Sequence, residues 1–170
     1  MRHDGDFAAY AAARWPAIVR SLVLLGCPQP EAEEVARRGL ARCYLAWARV
    51  RESDDIDVRV YRAVLDCRDR AGGRAAVAEP AAAEPAAAEP AGPDRAPGDP
   101  RDAVLVRQAL ERALGRLADE DRSVVVLRFA AGLSEVQVSE LLELTTDEVE
   151  SRLAAAIAAL DLPTLWGASR

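Results

Sequence analysis

Apolar side chains recur at helical spacing in two blocks of this chain, with a stretch between them that has almost no large ones. In the first block Phe7, Tyr10, Ala11, Ile18, Leu22 and Leu25 share one face, which predicts a helix over about residues 7–25, kinked at Pro16 and ended by Gly26 and Pro28. A second helix opens near Pro30-Glu31, with acids in its first turn where the helix dipole favours them. It carries Val35, Leu40, Tyr44, Leu45 and Trp47 to about Arg49. The polar run Glu52-Ser53-Asp54-Asp55 reads as a loop with a cap. A third helix, about Ile56 to Arg70, then turns Val60, Val64 and Cys67 inward and ends at Gly72-Gly73.

Residues 71–102 break the pattern. AVAEP, AAAEP and AAAEP repeat with a proline every fifth residue, followed by GPDRAPGDP, and Val77 is the one large apolar residue before position 100. A segment that cannot propagate a helix or bury apolar surface cannot offset its ordering entropy, so a disordered linker is predicted.

From Asp102 the helical pattern resumes with Val106, Leu110, Leu114 and Leu117. Asp119 is placed to cap a following helix that holds Val124, Val125, Leu127 and Phe129 and ends at Gly132. Two capping-box spacings come next, Ser134 with Gln137 and Thr145 with Glu148, so two separate helices meet at a break near Glu143-Leu144. In the second of them Val149, Leu153, Ala156, Ile157 and Leu160 form a buried stripe, while Asp147, Glu148, Glu150, Ser151 and Arg152 face outward. This is a helix-turn-helix pattern, whose second helix normally enters a DNA groove. Leu162, Leu165 and Trp166 form a short apolar tail, which reads as a cover for the domain's open end or, alternatively, as a partner-binding motif.

The expected organisation is therefore all-α. A three-helix domain at 1–70 and a helix-turn-helix domain at 103–162 are joined by a flexible alanine, proline and glutamate linker at 71–102 and followed by a tail at 163–170. Composition agrees, since aromatics are only 5% of a chain that is 51% hydrophobic, which suits small helical cores.

Charge changes the picture more than composition does. The net charge is −6, and all 22 basic residues are arginine, so any phosphate contact is a forked guanidinium contact. The first seventy residues are close to neutral while the linker and the second domain are both acidic, so no basic patch of a self-sufficient DNA binder is present. Cys27, Cys43 and Cys67 are odd in number and widely spaced, which predicts buried thiols and neither a disulfide framework nor a zinc site. His3 is the single histidine, near a loose terminus. Without a histidine-based nucleophile set, a glycine-rich phosphate loop or metal-ligand spacing, an enzyme is not expected, and neither is a cofactor or a metal. The apolar run Ala17 to Leu25 is interrupted by Arg20 and too short for a membrane span, so a cytoplasmic protein is expected.

The segment Leu133-Ser134, Leu141-Leu142, Val149, Ser151-Arg152-Leu153 and Leu160 resembles, in order and spacing, the DNA-binding end of extracytoplasmic-function (ECF) sigma factors of the actinobacterial SigE-like group. The resemblance extends to Leu114-Gly115-Arg116-Leu117 and Val126 to Phe129 and, in the first block, to Arg14-Trp15-Pro16-Ala17, Ala32 to Ala36, Tyr44 to Val50 and Arg62 to Leu65. It implies an amino-terminal sigma region 2-like domain that binds polymerase and opens the promoter, and a carboxy-terminal region 4-like domain that reads the upstream element. The positions it singles out for DNA are Thr145, Thr146, Asp147, Glu148, Glu150, Ser151 and Arg152. Those for promoter opening are Arg59, Arg62, Arg68 and Arg70, and those for polymerase binding are Glu33, Glu34, Arg37, Arg38 and Arg42. The implied partners are core RNA polymerase, promoter DNA held weakly or only with a partner's help, and an anti-sigma or other regulatory protein.

Several positions depart from the family pattern. Ser139 stands for the usual alanine, Glu143 for the turn glycine, Glu150 for a basic residue, Arg37-Arg38 for a polar and an acidic residue, and Asp66 for an asparagine; Asp119-Glu120-Asp121 is unusually acidic. Two functions stay open on this reading. One is an ECF-type initiation subunit; the other is a sigma-like regulator or adaptor that binds a protein or small ligand without autonomous promoter binding.

Overall fold

The computed structural model describes residues 2–75 and 100–160, and every regular element among them is a helix. The helices are α1 (Arg2–Leu24), α2 (Gln29–Leu45), α3 (Trp47–Arg51), α4 (Ile56–Ala75), α5 (Pro100–Leu114), α6 (Asp119–Val125, continued by a π-helical turn at Val126–Ala130), α7 (Glu135–Leu142) and α8 (Thr146–Leu160). The linker core at 76–99, the tail from 161 onward and the side chain of His3 lie outside the described residues.

In the first group of helices α2 packs on both α1 and α4. Ile18 and Leu22 of α1, Val35 and Leu40 of α2, and Val60 and Val64 of α4 are almost fully buried, and each such side chain contributes about 1.5–3 kcal/mol. The α2–α4 crossing is set by Gly39: a β-carbon there would lie 2.6 Å from Val64 Cγ2 and 2.8 Å from its Cα. Phe7 and Tyr10 of α1 hold Trp47 by ring contacts at 5.2 and 5.4 Å. Tyr10 also donates a 2.6 Å hydrogen bond to Asp57, which pairs with Arg14.

The second group stacks α8 on α6 and α7. Val124, Val125, Val126 and Leu127 are all buried in succession, which one face of an α-helix cannot do. The segment manages it because α8 covers α6 on one side while α1 covers the π turn on another. This second contact joins the two groups, and α7 against α4 is another.

Several boundaries differ from the sequence expectation. α1 opens at Arg2, ahead of Phe7, and runs through Pro16 to Leu24. The second predicted helix is two, because Ala46 (φ −117°, ψ 16°) breaks it; this turns Trp47 inward and leaves Tyr44 and Leu45 exposed. Gly72-Gly73 does not end α4, which continues to Ala75. Neither glycine has positive φ, and a helical glycine costs about 1 kcal/mol against alanine without forbidding the conformation. α5 opens at Pro100 and not at Asp102, since proline is pre-shaped for the first helical position.

Asp119 is not a cap either. Ala118 holds the cap position with no side-chain bond, and Asp119, Glu120 and Asp121 fill the first turn, where the dipole favours them. Val106 and Leu110 are exposed, so α5 buries only its last turn, at Ala113 and Leu114, among the described residues. Phe129 and Ile157 are exposed as well. Of the three cysteines expected to be buried, Cys43 and Cys67 are, while Cys27 is only partly so.

Candidate nucleic-acid and polymerase interface

The α7–turn–α8 unit forms because both helices open on reciprocal caps. The Gln137 backbone N–H donates to Ser134 Oγ at 3.2 Å while the Ser134 N–H donates to Gln137 Oε1 at 2.7 Å. At the second opening the Glu148 N–H donates to Thr145 Oγ1 at 3.2 Å, and the Thr145 N–H and hydroxyl both donate to Glu148 Oε2, at 2.7 and 2.8 Å. These bonds favour the ionised carboxylate and hold Glu148 below the usual glutamate range. Between the caps Glu143 takes the left-handed conformation (φ 57°, ψ 38°), at a cost of roughly 1–2 kcal/mol for a residue with a β-carbon.

The residues expected to face DNA do line one exposed edge of α8. Thr145, Thr146, Asp147, Glu148, Glu150 and Ser151 are all exposed. Arg152, the one cation in the set, is turned away from that edge toward α6: one guanidinium nitrogen lies 2.6 Å from Glu120 and another donates to Asp121 at 3.1 Å. The Asp121 bond, with Glu120 beside it, tightens the hold of Arg152 on its proton. The edge thus presents carboxylates and hydroxyls, a chemistry that accepts from base amino groups and repels phosphate.

The arginines expected to act in promoter opening do not form one patch. Arg59 is exposed and carries no ion pair among the described residues. Arg62 reaches the second group of helices, donating to the Glu140 carbonyl at 2.7 Å and lying 3.7 Å from the Glu143 carboxylate. Arg68 pairs with Asp69 at 2.9 Å and Arg70 with Asp66 at 3.6 Å, one turn away on α4. Arg62, Leu65 and Arg68 line a cleft of about 240 Å³ closed on the far side by Ser123, Leu141, Leu142 and Glu143.

On α2 the residues expected to bind polymerase form a surface network of their own. Arg37 bridges Glu33 at 3.6 Å and Glu34 at 2.6 Å, and Arg38 pairs with Glu34 at 2.7 Å. Arg42 lies apart, reaching Asp66 at 3.8 Å and the Cys67 sulfur at 3.7 Å. These exposed pairs are worth little to stability and leave α2 with a self-neutralised face.

Sequence reasoning missed the residues that join the two groups. Gln137 donates through Nε2 to Asp55 Oδ2 at 2.6 Å, and Arg20 donates to the Ala130 carbonyl at 2.9 Å. Their partners are 82 and 110 positions away, so no local pattern marks them. Among the described residues no cluster of histidine, cysteine or carboxylate side chains could hold a metal ion, and no helix is long and apolar enough to cross a membrane.

Residues 107–160 match the family model of Sigma-70, region 4. No curated protein matches the chain. Among solved structures, the chain is similar to the sigma factor RpoE in complex with the anti-sigma factor NepR from Bartonella quintana. It is 18% identical to it, with a TM-score of 0.69 over 97% of this chain and 99% of that one. It is also similar to CnrH in complex with the cytosolic domain of CnrY, at 21% identity and a TM-score of 0.64 over 96% of this chain and 89% of that one. At these identities what is shared is the fold, and it spans both groups of helices.

Proposed function

We propose that the chain is a sigma subunit of the ECF type, which binds core RNA polymerase and directs it to promoter DNA. The observation that carries this reading is the doubly capped α7–turn–α8 unit inside the segment that matches Sigma-70, region 4. The first group, residues 1–70 with the α4 extension to Ala75, is assigned the region 2-like role, and 103–162 the region 4-like role. Under this reading the protein does no bond chemistry and works in the cytoplasm. Placement in the actinobacterial SigE-like group is part of the same proposal and rests on the motif resemblance alone.

In the proposed assembly Thr145, Thr146, Asp147, Glu150 and Ser151 face the upstream element, with Glu148 holding the helix start. Arg59, Arg62, Arg68 and Arg70 take the separated strands, and the Glu33 to Arg42 face of α2 meets polymerase. Because α8 offers no free cation at its exposed edge, polymerase supplies most of the attraction for DNA. A regulatory protein is a further proposed partner, in keeping with the anti-sigma complex in which the structurally similar RpoE was solved.

Co-purification with core polymerase followed by run-off transcription tests the proposal. Association with promoter-dependent transcripts is expected. Association without transcripts, or none, favours the second reading, an adaptor that keeps the architecture without promoter binding. The observation on its side is the neutralisation of Arg152 by Glu120 and Asp121.

A further inference from the structure

α5 carries one apolar face, and the described residues cover it at one end only. Val106, Leu110, Ala113 and Leu114 fall at helical spacing along that face. Ala113 and Leu114 are 7% and 2% exposed, against 45% for Val106 and 36% for Leu110. Arg107 and Glu111, paired at 3.6 Å, give the face a polar flank. A helix of this length is marginal in water on its own hydrogen bonds and is held by what packs on its apolar side.

A second uncovered side chain lies where the chain leaves this group of helices. Ile157, in the last turn of α8, is 42% exposed, while Leu160 behind it is buried. α6 brings α8 and α5 together. Arg152 of α8 pairs with Glu120 and Asp121, and next to them Arg122 donates to the Leu114 carbonyl, at the end of α5, at 2.9 Å. From Arg152 to Leu160 is about 12 Å of helix, and from Leu114 back to Val106 about the same.

Two segments outside the described residues border this surface, 76–99 ahead of α5 and 161–170 after α8. The first offers Val77 as its one large apolar residue. The second offers Leu162, Leu165 and Trp166 within five positions, so of the two it alone has the apolar area to cover the face.

We infer that residues 161–170 fold back from the end of α8 and lay Leu165 and Trp166 on the Val106–Leu110 face of α5, with Leu162 against Ile157. Pro163 supports the turn, because it cannot continue the helical ladder and it biases Leu162 away from helix. Trp166 reaches about 20 Å from Leu160 at about 3.3 Å per residue, enough to span the exposed turns of α5. The α5 face is therefore an intramolecular docking surface whose occupant is the chain's own apolar segment, whatever the protein binds elsewhere.

Tryptophan fluorescence of the full chain tests this directly. Subtracting the emission of Trp166→Phe from that of the wild type isolates Trp166 and leaves Trp15 and Trp47 in place. The difference spectrum should be blue-shifted from that of N-acetyltryptophanamide and shielded from acrylamide, since a docked indole is out of water. Leu110→Glu, at a position exposed enough to accept a charge, should return Trp166 to the water-like spectrum. A water-like spectrum in the wild type overturns the inference, and so does a blue shift that survives Leu110→Glu, which would put the indole elsewhere. A blue shift that appears only as protein concentration rises, with dimers in sedimentation velocity, assigns the occupant to a second copy and overturns the fold-back.

Hydrogen exchange reads the same contact from the α5 side. In Leu165→Ser/Trp166→Ser the α5 amides around Val106 and Leu110 should exchange about tenfold faster or more, while those of α6 and α8 hold their wild-type rates. Unchanged exchange in α5 overturns the docking. Circular dichroism confirms that every variant keeps its helices.

Discussion

Asp55 and Gln137 each cap their own helix with one side-chain atom and bond the other residue with the remaining one, at 2.6 Å across 82 positions of chain. Local helix initiation and long-range docking therefore share the same two side chains. A double-mutant cycle on Asp55→Ala and Gln137→Ala should show both single losses, about 1 kcal/mol each from the caps. A coupling of roughly 0.5–1.5 kcal/mol should remain after they are subtracted. Urea denaturation of the four proteins measures it, and a coupling indistinguishable from zero would remove Asp55–Gln137 from the interface.

Gly39→Ala should destabilise the protein by about 1–3 kcal/mol, because the new methyl meets Val64 at both Cγ2 and Cα, and a backbone atom cannot swing aside. Adding Val64→Ala removes Cγ2 but not Cα, so it should recover only part of the loss. Complete recovery would show that the side chain alone sets the spacing of α2 and α4. Thermal unfolding is sufficient to compare the three proteins.

The acidic edge of α8 makes a directional prediction for DNA. Glu150→Lys should tighten duplex binding and steepen the dependence of log K on log salt by about 0.9 for the one phosphate gained. Glu120→Gln with Asp121→Asn, which release Arg152, should act in the same direction. Fluorescence anisotropy across a salt series reads both. If affinity and slope stay at the wild-type values in both variants, α8 does not face a duplex.

The Thr145–Glu148 cap titrates. The Glu148 carboxyl is held below its ordinary value by the Thr145 N–H and hydroxyl. A depressed folded-state value means that the contribution is present above the unfolded pKa and disappears as pH falls through the folded one. Wild-type stability should therefore decline on the acid side of the ordinary glutamate range, and the decline should be shallower in Glu148→Gln, which keeps a capping acceptor without a charge. Denaturation midpoints between pH 6 and 3, chosen as about the span over which a carboxylate protonates, decide it. Parallel curves for the two proteins would mean that the box carries no pH-linked stability.

The cored turns of each helix group were legible from sequence because they depend on local chemistry. Ser134, Thr145 and Asp55 announce helix starts by their own hydrogen-bonding reach, and Val60, Val64 and Leu153 lie on faces that periodicity exposes to view. Errors gathered where tertiary contact overrides local preference. Phe129 reads as core by spacing, yet the π turn leaves it outside. Ala46 interrupts a pattern that looks continuous, because Trp47 has aromatic partners on α1. In the candidate site the exposure of the α8 edge could be foreseen, but the diversion of Arg152 to α6 could not, since Glu120 and Asp121 are ordinary first-turn acids when taken alone. The use of Arg62 as a tie between helix groups was likewise invisible, because its partner is a backbone carbonyl, which every residue possesses.

The close crossing at Gly39 and Val64 has a mechanical side. With no slack between the two helices at that point, α2 cannot slide or tilt on its own, and a protein gripping the Glu33–Arg42 surface takes hold of α4 at the same time. α4 is in turn the helix that Arg62 ties to α7. Load applied at one exterior surface is thus delivered, through a stiff pair of rods, to the seam between the halves of the molecule.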